Sequence, residues 1–148
     1  MLKARSPQSS TTELAVLAAE QKKETFVGWY RNPTGGPNSI AVPYQEGTKA
    51  RTLYPDFVFV HEVDGEIFLD IVDPHRPDES DTSPKWQGLA AYAAEHSEAV
   101  RRVDAVIKEG NNLRFIDLKN PATVKQLRGA AGEDTIRSVF KDHGGQYD

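Results

Sequence analysis

Residues 54–72 read YPDFVFVHEVDGEIFLDIV, and this stretch indicates the fold more clearly than any other. Residues 54–61 are aromatic and β-branched, which is typical of a strand. The Asp-Gly dipeptide at 64–65 favours a tight hairpin turn. Residues 67–72 form the return strand and are apolar except for Asp70, which is typical of a strand inside a sheet. The stretch therefore predicts a β-hairpin whose second strand is central.

The flanking sequence supplies further strands and helices. Ser10 and Glu13 have the spacing of a capping box, which opens a helix reaching about residue 23. Ser83 and Pro84 are typical of the start of a second helix. The patterns predict strands at 25–30, 39–44, 102–107 and 113–118, and helices at 84–96, 121–128 and 133–141.

A helix between the hairpin and the next strand is a crossover connection, so part of the sheet is expected to be parallel. The predicted class is α/β, with a central mixed sheet flanked by helices. We expect a flexible lead-in at residues 1–9, a single domain at 10–142 and a flexible tail at 143–148.

Composition narrows the classes of function. The 148 residues fit one domain, and no apolar run approaches the roughly 20 residues that span a bilayer. No signal peptide is apparent, so a soluble, cytoplasmic protein is expected. The absence of cysteine excludes disulfides and thiolate metal sites. The net charge of -4 argues against strong DNA binding by this chain alone, and would fit DNA affinity supplied by another domain or chain.

Asp56 and Asp70 are the sharpest chemical feature, because they lie on the two strands of one hairpin. A carboxylate in an apolar strand needs a partner, and a divalent cation between two carboxylates would supply it. Alternatively, Asp70 bonds to backbone or to an arginine and Asp56 only caps a strand. The residues by themselves leave both interpretations open.

Several motifs resemble the endonuclease domain of type III restriction enzymes and of related DEAD/DEAH-type helicases. They are WYRNP at 29–33, IAVPY at 40–44, YPDF at 54–57 and LDIV at 69–72, followed by DIVDPH at 70–75 and KWQGLAAY at 85–92. The resemblance extends to about Leu118. It implies a restriction-endonuclease-like PD-(D/E)xK core and Mg²⁺- or Mn²⁺-dependent cleavage of DNA in a restriction or phage-defence setting.

The resemblance also implies roles for particular residues. Asp56 matches the acid of the "PD" element, Asp70 matches the second acid, and Glu13 matches an assisting acid on the first helix. The backbone carbonyl of Ile71 would complete the metal ligands. Gln87, with Tyr92, is similar to a Gln…Tyr element that steadies such sites.

One position departs from the motif. The lysine of (D/E)xK should fall at Val72, which cannot orient water or stabilise charge. Lys85 on the next helix, or His75, could replace it. Asp73 and His75 could also form a metal ligand cluster, although a strand-ending turn at Pro74 explains them as well.

The leading hypothesis is therefore a metal-dependent deoxyribonuclease in which Asp56 and Asp70 hold Mg²⁺, Glu13 assists, Lys85 activates water and Gln87 positions Lys85 or the substrate. DNA and a helicase or ATPase motor in the same or a partner chain are the expected partners, and no membrane is expected. One rival is a catalytically inactive DNA-binding or coupling module of a helicase. The other is a protein-interaction domain with Asp56 and Asp70 already paired.

Overall fold

The computed structural model describes residues 11–148. Four helices and eight strands make up this described part of the chain. The helices are α1 Thr11–Gln21, α2 Thr82–Glu95, α3 Pro121–Arg128 and α4 Glu133–His143. The strands are β1 Phe26–Arg31, β2 Val42–Glu46, β3 Lys49–Leu53, β4 Phe57–Val63, β5 Glu66–Pro74, β6 Arg102–Glu109, β7 Asn112–Asp117 and β8 Gly145–Gln146.

The central sheet is mixed, and its six strands lie in the order β1-β4-β5-β6-β7-β8. Strands β5 and β6 are parallel and are connected through α2, whereas the other neighbours are antiparallel. Strands β2 and β3 form a separate antiparallel pair. The predicted α/β class, with a mixed sheet flanked by helices, is confirmed.

The β4–β5 hairpin fixes which residues of β4 and β5 lie opposite each other. Asp64 and Gly65 have φ values of 52° and 84°, as a two-residue hairpin turn requires. Phe57 then pairs with Val72, and Phe59 pairs with Asp70.

Both faces of the sheet are covered by apolar clusters. On one face the sheet packs against α2, α3, α4 and the β2–β3 pair, with Trp86 and Phe140 in ring contact at 5.3 Å. On the other face α1 packs through Val16 onto Phe57 and Phe59. Because side chains alternate along a strand, Ile71 of β5 faces the first cluster and Val72 faces the second.

Two features of the structure differ from what the sequence predicted. Strand β3 at Lys49–Leu53 was not predicted, and the expected flexible tail pairs with β7 through β8, which buries Tyr147. The tail orders because β7 has an open edge and the Tyr147 ring finds an apolar site beside Phe115. The predicted lead-in at 1–9 and the Ser10 cap lie outside the described residues.

Across residues 11–148, none of the helices combines the length and the apolar character needed to cross a bilayer.

Candidate functional site

The hairpin register places Asp56 next to Asp73, not next to Asp70. Asp56 immediately precedes β4, and the pairing of Phe57 with Val72 carries Asp56 to the level of Asp73. The Asp56 carbonyl accepts a hydrogen bond from the Asn32 amide at 2.9 Å, which holds this end of β4 beside β1. Two carboxylates therefore meet where β5 ends.

Asp73 is a buried carboxylate whose charged neighbour is His75. Its side chain is fully buried, and neither oxygen has a hydrogen-bond donor within residues 11–148. The Nε2 atom of His75 lies 2.7 Å from Asp73 Oδ2, which is ion-pair distance but not hydrogen-bond geometry. Burying a carboxylate in this way is costly, and a proton, the charged form of His75 or a bound cation would offset that cost.

The neighbouring charges change the protonation of Asp56 and His75. Burial, together with the carboxylates of Asp73 and Glu13, raises the pKa of Asp56 from 3.8 to about 7. Burial acts to lower the pKa of His75, but the adjacent Asp73 carboxylate outweighs it and the pKa of His75 is raised. The excess of negative charge would favour a cation at this point.

Glu13 reaches the same end of the sheet from the first turn of α1. Its carboxylate pairs with Arg31 at 2.9 Å, and the Arg31 guanidinium lies 5.2 Å from the centre of the Phe57 ring. Glu13 thus lies near Asp56, and its charge contributes to the raised pKa of Asp56.

Lys85 and Gln87 lie on α2 and are engaged elsewhere. The Lys85 ammonium is 3.1 Å from Asp81 Oδ2, although its charge also acts on His75. The Gln87 amide donates to Ser83 Oγ at 2.9 Å, one turn back along α2. The residue of α2 that does contact the acidic strand end is Trp86, whose Nε1 donates to the Asp73 carbonyl at 3.3 Å.

Asp70 belongs to a different environment, so its predicted pairing with Asp56 is not found. Arg101 donates to Asp70 from Nε at 3.0 Å and from Nη2 as well, and Arg102 Nε lies 3.7 Å from Asp70 Oδ2. Ile71, the predicted carbonyl ligand, pairs with Val58 and Val103 inside the ladder. Asp70 and Asp73 are an odd number of residues apart on one strand, so they face opposite sides of the sheet.

The network around Asp70 consists of buried acids with His61 and Tyr147, and of partly exposed cations, between α1, the sheet and residues 145–148. We call it the α1-side network, and its members are Glu20, Lys23, His61, Asp70, Arg101, Arg102, Asp104 and Tyr147.

Three acid and imidazole groups of the α1-side network could in principle bind a metal. Ligand atoms of Glu20, His61 and Asp70 lie within 4.8 Å of one another. Arginine cations already fill this space, since Arg102 Nη2 is 2.8 Å from Glu20 Oε2. Although burial opposes it, Arg102 and the hydrogen bonds to Glu20 hold the pKa of that carboxyl down at about 2. Lysine and arginine cations thus pair with Glu20, Asp70 and Asp104 within this network.

The importance of Asp73 could have been found from the sequence. Asp56 and Asp73 are each eight residues from the turn dipeptide, Asp64-Gly65, and a two-residue turn pairs positions equidistant from it. Asp70 is five residues from the turn, so the same rule separates it from Asp56.

Comparison with known proteins gives a family and a longer relative. Residues 3–148 match the family model described as YagJ family. Over 127 residues the chain is 39% identical to Protein YagJ of Escherichia coli (strain K12), a match that covers 85% of this chain and 52% of that protein. The chain thus spans about half the length of this curated relative. No solved structure matches it.

Proposed function

Because the chain belongs to the YagJ family, a name that states no reaction, we propose its function from the site itself: divalent-metal-dependent hydrolysis of DNA phosphodiester bonds. The observation that carries the proposal is the buried Asp73 carboxylate, which has no hydrogen-bond donor within residues 11–148 and lies beside Asp56 at a strand end. The restriction-endonuclease-like core is part of the same proposal.

The position of Asp73 restores the motif that Val72 had interrupted. With Asp73 as the second acid, the acid-x-base spacing reads Asp73-Pro74-His75, and His75 occupies the place of the motif lysine. The carbonyl of Pro74 then replaces that of Ile71 as the proposed backbone ligand. The resemblance to PD-(D/E)xK nucleases is kept, with its second element moved three residues along β5.

The donor set fits a hard divalent cation. Asp56 and Asp73 offer carboxylate oxygens, Glu13 adds a third carboxylate nearby, and oxygen donors are those that Mg²⁺ and Mn²⁺ prefer. Such an ion, when bound, polarises a phosphodiester and acidifies water.

The surrounding residues would hold the reacting groups in place. His75 is held between Asp73 and the Trp86 ring, whose centre is 5.8 Å away, so its Nε2 has a fixed position from which to hold or release a proton. The charge of Lys85 acts on His75, and an ammonium released from Asp81 would stabilise the negative charge that develops on phosphate.

The test is metal-dependent cutting of plasmid DNA by wild type and by the variants Asp56→Asn and Asp73→Asn. We expect cutting with Mn²⁺ or Mg²⁺, and a loss of more than about a hundredfold in each variant because each loses a charged ligand. Asp142→Asn makes the same chemical change at an exposed carboxylate of α4 and should cut normally.

Metal binding gives a second readout that does not depend on activity. Mn²⁺ should raise the midpoint of thermal unfolding of wild type and of Asp142→Asn, since a ligand that binds only the folded state stabilises it. It should not do so for Asp73→Asn. Equal stabilisation of all three proteins would contradict the proposed metal site.

A second candidate is an inactive DNA-binding or coupling module. The ion pair of Lys85 with Asp81 favours it, because that contact keeps the ammonium occupied away from the acids. This candidate predicts Mn²⁺ binding without cutting, and unchanged behaviour of Lys85→Ala. Cutting that falls in Lys85→Ala would favour the active nuclease.

A further inference from the structure

A cleft of about 370 Å³ opens next to the candidate active site. It lies between the end of β5, the β6–β7 turn and the start of α4, and His75 forms part of its wall. Its other charged lining residues are Arg76, Asp78, Lys108, Glu133 and Arg137. Because His75 also contacts Asp73, a ligand in the cleft would lie beside the proposed metal position.

The cleft has an excess of positive charge in a chain whose net charge is -4. Three cations face two carboxylates, and Lys108 is exposed and makes no ion pair within residues 11–148. Arg137 donates to the Lys108 carbonyl at 3.2 Å, so the β6–β7 turn and α4 hold these two cations together.

The two arginines of the cleft form exposed ion pairs with neighbouring carboxylates. Arg76 contacts Asp78 at 2.7 Å and Arg137 contacts Glu133 at 2.9 Å. All four side chains are about a third or more exposed, and ion pairs of this kind contribute little stability. A phosphate, which accepts paired hydrogen bonds from a guanidinium, can replace the carboxylates at small cost.

We propose that this cleft binds the backbone phosphates of a nucleic-acid strand beside the bond that is cut, an inference that rests on the proposed nuclease function. Phosphate contacts position a nucleic acid without reading its sequence. A cleft of this volume is about the size that encloses one small organic ligand, so it fits a nucleotide unit of a single strand and not a duplex.

The experiment measures binding of a fluorescein-labelled single-stranded DNA by anisotropy, in EDTA, so that no cutting occurs. Lys108→Glu should raise the Kd by about tenfold and Lys108→Gln by less, because each removes a phosphate contact and the first adds repulsion. The slope of log Kd against the logarithm of the salt concentration should decrease by about one, which is the change expected when one phosphate contact is lost. The control Lys125→Glu makes the same charge change at an exposed residue of α3. Its Kd for the DNA should lie within about twofold of the wild-type Kd.

The outcomes separate this inference from the nuclease proposal. If wild type does not bind, or if Lys108→Glu and Lys125→Glu lose affinity equally, the cleft is not the phosphate site, even where Asp73→Asn has abolished cutting. If Lys108→Glu alone loses affinity, the cleft binds nucleic acid, even where wild type fails to cut.

Discussion

At the scale of single residues, Asp70 and Asp73 show how neighbouring positions acquire opposite chemistry. Both are fully buried aspartates on β5. Asp70 faces α1, where Arg101 and Arg102 neutralise it. Asp73 faces the opposite side, beside His75 and Asp56, and its oxygens lack hydrogen-bond donors within residues 11–148. Asp70 is therefore paired with arginine, whereas Asp73 has His75 as its ion-pair neighbour.

This contrast predicts opposite effects on stability. Asp70→Asn should lower the free energy of unfolding by about 1–3 kcal/mol, because the fully buried side chain loses its charge-assisted hydrogen bonds with Arg101. Asp73→Asn should change it by less than about 1 kcal/mol or raise it, because a buried carboxylate near Asp56 is removed. Urea unfolding of the metal-free proteins measures both. A loss at Asp73 as large as that at Asp70 would show that the fold compensates Asp73.

The pH dependence of stability provides a test of Asp56. Its pKa is raised from 3.8 to about 7 in the folded state, so the folded protein binds more protons than the unfolded chain between these values. The free energy of unfolding contributed by Asp56 therefore falls as pH rises from about 4 to about 7, by no more than a few kcal/mol. Asp56→Asn has no carboxyl group at this position, so its free energy of unfolding should not include this decrease with pH.

The measurement compares urea unfolding of wild type and Asp56→Asn in EDTA across that pH range. The stability difference in favour of the variant should grow towards pH 7. Asp104, whose pKa burial also raises to about 7, contributes equally to both proteins and cancels. A difference that stays flat with pH would mean that Asp56 is not held among other carboxylates.

At the scale of elements, the packing of α2 against β2 depends on one glycine. Gly88 lies in the middle of α2, where glycine normally weakens a helix by about 1 kcal/mol relative to alanine. A Cβ atom at Gly88 would lie 2.6 Å from both the Pro43 carbonyl and Tyr44 Cβ. The small residue lets β2 approach α2 closely.

Gly88→Ala should therefore destabilise the protein by about 1–3 kcal/mol, although alanine is the better helix former. Gly129→Ala is the matched control, because its nearest atom is 3.7 Å away and the residue has helical φ and ψ. Thermal unfolding should show a lower midpoint for the first variant and little change for the second. A stabilised Gly88→Ala would mean that the helix and β2 are not in close contact.

At the scale of the whole molecule, the α1-side network connects segments that are far apart in sequence. Glu20 of α1 accepts hydrogen bonds from Arg102 of β6 and from the hydroxyl of Tyr147 after β8, and contacts His61 of β4. It thereby fixes α1 against the sheet, and α1 in turn carries Glu13 to the candidate site.

Tyr147→Phe should lower the free energy of unfolding by about 1–3 kcal/mol, because a buried, charged acceptor loses a donor. Tyr30→Phe removes a hydroxyl that donates to the exposed Asn38 carbonyl at 2.7 Å and should cost much less. Urea unfolding of the two variants gives the comparison. Equal losses would show that the chain end does not contribute to the core.

The sequence by itself determined the hairpin, the order of the main helices and strands, and the parallel crossover, because each depends on local periodicity and turn chemistry. The position of Asp56 opposite Asp73 also follows from the sequence, because a two-residue turn fixes the register of both strands. The motifs that resemble type III restriction endonucleases selected Asp56 and Asp70, and Asp70 lies among the arginines on the other face of the sheet.

Only the tertiary structure decided which of the two acids on β5 is paired with arginine. Arg101 and Arg102 lie about thirty residues beyond Asp70, and Glu20 lies fifty before it, so no local pattern predicts that they meet. The ordering of the tail on β7 and the basic cleft around Lys108 likewise arise from segments brought together at a distance. Local rules set the direction of each side chain, and long-range packing sets which charges it meets.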